Sequence, residues 1–208
     1  HYHEAGSGES GTVLFVHGSG PGASGWSNFK GNYPFLAERG FRTIVPDTLG
    51  YGYSTKPAEG TYSLSDVAAQ YKALLDSLGV DRATVVGNSQ GGAIAIAMAL
   101  DYPDLVEKLV LMAPGGLEAR EVYMEMEGIK AMIRVLFKEG ISKETMRKVF
   151  KLQLHDESLI TDEIIEERYQ VAMTQHKDNI ARIHVKNQED RLSEIECPVL
   201  CFWGANDK

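Results

Sequence analysis

The chain is poor in cysteine, with two in 208 residues, Cys197 and Cys201. They stand four residues apart in what reads as a strand, about 13 Å between Cα atoms. A disulfide needs less than about 7 Å. No mutual bridge is expected, and a reducing compartment, the cytoplasm, fits. Positive charge is also short: Lys plus Arg is 21 against 29 for Asp plus Glu, a formal charge of −8. That balance argues against nucleic acid or an anionic membrane as partner. An anionic small molecule stays compatible, because one local cation can serve it. No apolar run approaches the roughly 18 residues of a transmembrane helix, and no signal-peptide pattern precedes the first strand. Neither a metal nor a cofactor is expected.

What is present is ordinary soluble composition, 43% hydrophobic and 24% charged, and a length sufficient for one large domain or one domain carrying an insertion. Residues 12–114 alternate short β-branched runs with helical patterns. Strands are predicted at 12–16, 41–45, 83–86 and 106–112, and helices at 27–38, 65–78 and 91–100. In the second helix Val67, Tyr71, Leu74, Leu75 and Leu78 share a face, and Ser63 with Asp66 reads as a capping box. Strand–helix alternation with continuously apolar strands means a parallel sheet covered on both faces. Residues 116–193 are rich in Glu, Lys, Met and Ile and show only helical periodicity. Residues 198–203 then return to a buried strand. The expected division is an α/β core, 1–115 with 194–208, and a helical lid, 116–193.

Chemistry concentrates at Gly87-Asn88-Ser89-Gln90-Gly91, a G-x-S-x-G turn between a strand and a helix. A serine on so sharp a turn takes strained backbone angles, and only glycine fits where flanking side chains would collide. Its Oγ then stands above the carboxyl ends of the strands, beside the positive end of the next helix. The plainer alternative is a tight turn with an incidental serine.

The first strand runs into His17-Gly18-Ser19-Gly20-Pro21-Gly22-Ala23-Ser24-Gly25-Trp26. This stretch satisfies the dinucleotide fingerprint in two registers, with Asp47 about where a ribose-binding acid belongs. Two features count against a nucleotide site. Pro21, Gly22 and Gly25 would fall inside the helix that must receive the pyrophosphate, and the serine turn would have no purpose. Such a loop also serves to aim a backbone N–H at a developing oxyanion.

With these residues in place the chain resembles the α/β-hydrolases, and within them the meta-cleavage product hydrolases, which break carbon–carbon bonds in aromatic degradation. The residues that carry the resemblance are His17 to Ala23 with Gly25-Trp26-Ser27-Asn28-Phe29, Asp47 with Gly50-x-Gly52-x-Ser54, Gly87-Asn88-Ser89, Pro114-Gly115-Gly116, and Trp203-Gly204-x-x-Asp207. The resemblance implies an α/β-hydrolase fold. It makes Ser89 the nucleophile, Asp207 the triad acid, and the backbone N–H groups of Ser19 and Gln90 the oxyanion hole. It places Asn28 and Asn88, with Gly18 and Gly20, around the dienoate end of the substrate. It also implies a 2-hydroxy-6-oxo-hexa-2,4-dienoate as substrate, an acidic dienol that is ketonised and then cleaved by water to a carboxylic acid and a 2-hydroxypentadienoate. A homo-oligomer, dimer or larger, is expected.

Arg168 is reached independently. Ile160, Ile164, Ile165 and Ala172 define an apolar arc on a lid helix, and at about 100° per residue Arg168 projects into its middle. An arginine on a buried face needs an anion, and a substrate carboxylate suits it bidentately. A salt bridge to a core acid, or a stem reaching water, is the structural alternative. The C6 group of the substrate is expected against lid residues such as Met124, Met132, Ile133 and Leu136. Ser89 also needs a base. The six histidines offer none: His1 and His3 lie in a short polar start, His17 in the loop, and His155, His176 and His184 on solvated lid helices. Since the family order is serine, acid, histidine, the base is expected beyond Lys208, in a longer polypeptide that adds a last strand and helix and the first strand or two. An esterase or lactonase on the same scaffold, or a non-catalytic ligand-binding relative, are the competing functions.

Overall fold

The apolar strands assemble into a six-stranded sheet in the order β1-β3-β2-β5-β6-β8. These are β1 (Tyr2–Ala5), β2 (Thr12–Val16), β3 (Arg42–Pro46), β5 (Ala83–Asn88), β6 (Val106–Met112) and β8 (Val199–Phe202). All pairings are parallel except β1 with β3. The computed structural model describes residues 1–175 and 182–207, with Leu136 in its backbone alone. The expectations for His176 and for the Leu136 side chain lie outside the described residues.

Helices α3 (Leu64–Ser77) and α4 (Gln90–Asp101) pack against each other on one face of the sheet, and Phe29, Tyr33 and Leu36 pack on the other. On α3 the buried residues are Leu64, Val67, Ala68, Tyr71 and Leu75, and the Ser63–Asp66 capping box forms. On α4 every residue from Gly91 to Ala99 is buried, so the helix is apolar all round. Each buried Ile or Met there contributes roughly 1.5–3 kcal/mol.

Several expectations are corrected. The helix predicted over 27–38 is two five-residue helices, α1 (Gly25–Phe29) and α2 (Tyr33–Ala37). Gly31 and Asn32 break the run, and Pro34 sits in the first turn of α2, where a missing N–H costs nothing. The polar start is strand β1, antiparallel to β3 from Tyr2↔Pro46 to Ala5↔Thr43. Its pairing is made by backbone, so its side chains need not be apolar. Strand β8 exists, but all four residues are exposed, against the burial expected of it. It lies at the end of the strand order and, among the described residues, pairs with β6 alone.

The block after β6 carries α5 (Arg120–Glu125), α6 (Glu127–Arg134), α7 (Lys143–Gln153) and α8 (Asp162–Ala172). It is not purely helical. Strand β7 (Ile183–His184) pairs in parallel with β4 (Tyr62–Ser63), a two-residue ladder beside the α3 cap. The two necks of the block also meet. The Gln188 N–H donates to the Gly116 carbonyl at 2.8 Å, and its side-chain Nε2 donates to the Ala93 carbonyl at 3.0 Å. Both cysteines are free, and no described helix is long and apolar enough to cross a membrane.

Candidate active site

Ser89 joins β5 to α4 with φ 54° and ψ −117°, one of two described non-glycine residues at positive φ. Such a conformation costs about 1–3 kcal/mol unless its surroundings impose it. Here they do. The Ser89 N–H donates to the Met112 carbonyl at 2.9 Å, and the Ser89 carbonyl accepts from Gly92 and Gly115 at 2.9 and 2.8 Å. The flanking glycines are sterically required. A Cβ on Gly87 would lie 2.4 Å from the Gly91 carbonyl oxygen, and one on Gly91 would lie 2.0 Å from that of Val16. The strained serine turn expected from the sequence is therefore present.

The loop after β2 comes up against this turn. A Cβ on Gly18 would sit 3.2 Å from the Ser89 Cβ and 3.3 Å from Asn88 Nδ2. Asn28 on α1 locks the arrangement. Its Oδ1 accepts from the Gly18 N–H at 3.2 Å and from Asn88 Nδ2 at 3.0 Å, while its Nδ2 donates to the Ser24 carbonyl at 3.2 Å. Asn28 and Asn88, expected at the substrate, are thus also bonded to each other and to the loop.

The dinucleotide alternative fails on geometry. Gly20 and Gly22 take φ of 118° and 70°, and the helix that follows begins only at Gly25, capped by Ser24. Asp47 is buried and fully engaged: its Oδ1 accepts from the Gly25 N–H at 2.8 Å, and its Oδ2 from the Tyr53 N–H and His1 Nδ1, each at 2.8 Å. It braces two loops, with three hydrogen bonds to groups of this chain.

His17 is structural. Its Nδ1–H donates to the Gly18 carbonyl at 2.7 Å, and its Nε2 accepts from the Thr48 N–H at 2.9 Å. Burial lowers its pKa from 6.5 to about 4, only partly opposed by the Gly18 hydrogen bond and the Asp47 charge. It stays neutral with both nitrogens occupied. The other described histidines lie elsewhere. His1 binds Asp47, His3 packs on Trp26, and His184 is exposed on β7. His155, expected on a helix face, follows α7 in a turn and meets Asn206 Nδ2 at 3.2 Å. No described contact joins a histidine to Ser89.

A cavity opens on the far side of the loop, lined by Ser19, Gly20, Pro21, Met132, Met146, Val149, Phe150, Gln153 and Arg168. Of the lid residues expected there, Met132 is present, whereas Met124 and Ile133 are exposed. On α8, Ile165 and Ala172 are buried and Ile164 half-buried, as the helical arc required. Arg168 projects among them. Its Nη1 donates to Ser27 Oγ at 2.7 Å, its guanidinium lies 5.3 Å from the Phe150 ring centre, and its Nε is sealed from solvent without a partner. Burial lowers its pKa from 12.5 to about 10, and the nearby Glu167 only partly restores it. The Glu167 carboxylate is bonded instead to Lys30 Nζ at 2.6 Å and Trp26 Nε1 at 3.2 Å. No core acid reaches Arg168, so the structural salt bridge does not form among the described residues.

Asp207 stands exposed in the turn after β8, its N–H on the Gly204 carbonyl at 3.2 Å. No described contact joins its carboxylate to Ser89. The structure therefore brings Ser89, Asn88, Asn28, Gly18 and the Ser19–Gly20 stretch together, with Arg168 across the loop. Asp207 is not yet joined to them. Sequence reasoning missed Gln175, which is buried on the loop. A lone glutamine after a helix carries no pattern that would have singled it out.

Comparison with known proteins agrees with this geometry. The alpha/beta hydrolase fold family matches residues 11–156. The chain is 37% identical, over its whole length and 74% of the relative's, to a 2-hydroxy-6-oxo-6-phenylhexa-2,4-dienoate hydrolase of Comamonas testosteroni. It is 39% identical, with the same coverage, to a 2-hydroxy-6-oxononadienedioate/2-hydroxy-6-oxononatrienedioate hydrolase of Paraburkholderia phymatum. Among solved structures, the meta-cleavage product hydrolase of Pseudomonas fluorescens superposes with a TM-score of 0.82 at 28% identity, over 98% of this chain and 75% of that one. The strained serine turn, the glycine loop and these likenesses together place the chain in the alpha/beta hydrolase family and, within it, among the meta-cleavage product hydrolases.

Proposed function

We propose that the protein hydrolyses a carbon–carbon bond in a 2-hydroxy-6-oxo-hexa-2,4-dienoate, with Ser89 as nucleophile. The observation that carries this reading is Arg168. A buried guanidinium with an unpartnered Nε, in a cavity whose lining contains no acid, calls for an anion from outside. The carboxylate of a dienoate supplies one, and its two oxygens match the guanidinium fork. Asn88 spends one of its amide hydrogens on Asn28 and has a second for the substrate's oxygen substituents. The backbone N–H groups of Ser19 and Gln90 are the proposed oxyanion donors, and Asp207 the proposed acid of the triad. The helical block over residues 116–193 is proposed as the lid. Its helix α8 supplies the arginine, and its residues Met132, Met146, Val149 and Phe150 supply the apolar wall.

The same reading takes the enzyme to be cytoplasmic, in keeping with two free thiols, and a homo-oligomer, which sedimentation of the purified protein tests. The experiment for the activity is decay of the dienolate absorbance on mixing the full-length enzyme with a 6-phenyl dienoate. Turnover of a simple aryl ester with no dienolate decay would move the assignment to an esterase.

A further inference from the structure

The oxyanion loop is gripped from two sides. On the sheet side Asn28 holds the Gly18 N–H. On the other side the grip comes from just beyond α8. Gln175, 9% exposed, lays its amide along the turn Gly20–Ala23. Its Oε1 accepts from the Gly22 N–H at 2.7 Å, and its Nε2 donates to the Ala23 carbonyl at 3.3 Å. The turn is itself closed by Ala23 N–H on the Gly20 carbonyl at 3.2 Å. The approach is so close that a Cβ on Gly22 would lie 2.1 Å from the Arg168 carbonyl oxygen. Backbone of α8 and backbone of the loop are therefore in contact, and Gln175 fills the donor and acceptor left beside that contact. Neither group has a described alternative partner, and an unmade buried bond is costly.

We infer that Gln175 is a positioning residue: it ties the docking of α8 to the placement of the Ser19 N–H, three residues before Gly22, without touching substrate. This rests on the proposed role of Ser19 in the oxyanion hole. An oxyanion donor acts on the transition state, not on ground-state binding. Loosening the turn therefore lowers kcat, while KM, set largely by Arg168, changes little.

The chemistry of the amide gives a specific test in the full-length enzyme. In Gln175→Glu the neutral carboxyl copies the amide, with one oxygen accepting from Gly22 and one O–H donating to Ala23. The ionised carboxylate has no donor and faces the Ala23 carbonyl. Burial favours the neutral form and raises the pKa of the new glutamate. Expected is a kcat about tenfold below the parent at pH 8, recovering to within about threefold near pH 5.5, with KM within about twofold throughout. Gln175→Met, similar in volume and unable to bond, should keep the kcat loss at every pH. Rates are taken as variant-to-parent ratios on a 6-phenyl dienoate and on p-nitrophenyl acetate, with melting temperatures recorded for each protein. A Glu-to-parent ratio that does not change with pH, or a rise in KM with kcat unchanged, overturns the role. If the parent cleaves the ester and no dienoate, the substrate reading fails, and the ester ratios still decide Gln175.

Discussion

The serine turn and helix α8 solve opposite problems. Around Ser89 the contacts are backbone on backbone, and glycines 87 and 91 exist because a Cβ would meet a carbonyl at 2.4 and 2.0 Å. Around α8 the backbone meets the loop at Gly22, and the hydrogen bonds to the core run through side chains: Arg168 on Ser27, Glu167 on Lys30 and Trp26, Gln175 on Gly22. The first is saturated with bonds, while the second leaves one buried nitrogen, Arg168 Nε, without a partner. On the proposed roles of Ser89 and Arg168, reactivity is placed where no side chain can be exchanged without moving the main chain, and recognition where side chains can change and the fold stays.

If that division holds, disturbing the turn should cost more than disturbing α8. Ser89→Ala should lower kcat for the dienoate by about 10⁴-fold or more, with substrate still binding, as seen by equilibrium titration. Gly91→Ala forces a methyl into the Val16 carbonyl, and thermal melting should show a loss of more than about 4 kcal/mol or no folded protein. His17 gives the next effect, on stability against pH. Its folded pKa is depressed to about 4 from 6.5, so at neutral pH it is uncharged in both states. As pH falls from about 6.5 towards 4, the unfolded chain takes a proton that the folded chain refuses, and stability is lost by on the order of 3 kcal/mol. Denaturant titrations at pH 7 and pH 4.5 should show that loss, smaller in His17→Gln than in the parent. Arg168→Met should have the smallest effect, raising KM for the acidic dienoate about 10- to 100-fold and leaving an aryl ester within about twofold. An equal loss on both substrates would mean that Arg168 serves the fold through Ser27 instead of the carboxylate.

Legibility followed the same division. Strands β2 and β6 and the α3 capping box could be read directly, because short apolar β-branched runs and N-cap chemistry are local. Gly87-Asn88-Ser89-Gln90-Gly91 was readable because its glycines are dictated by backbone collisions. Arg168 was readable because a cation within an apolar helical arc is a conflict visible in one dimension. The rest depends on distant partners. Strand β1 is polar and forms through the backbone of β3. Strand β7 has two residues and needs β4, about 120 positions away, to exist. The break between α1 and α2 is written in Gly31, Asn32 and Pro34, which the expectation of a single helix over 27–38 does not weigh. Asn28 looked like a substrate contact, and its bonds to Gly18 and Asn88 needed the fold to be seen.

The neck of the helical block has a consequence for descent. Gly116 and Gln188 stand at its two ends and are hydrogen-bonded to each other at 2.8 Å. A segment whose ends already touch can be lengthened, shortened or exchanged with little demand on the sheet beneath it. If the block is the lid proposed above, one sheet can carry different covers, and new substrate ranges can arise by replacing the cover alone.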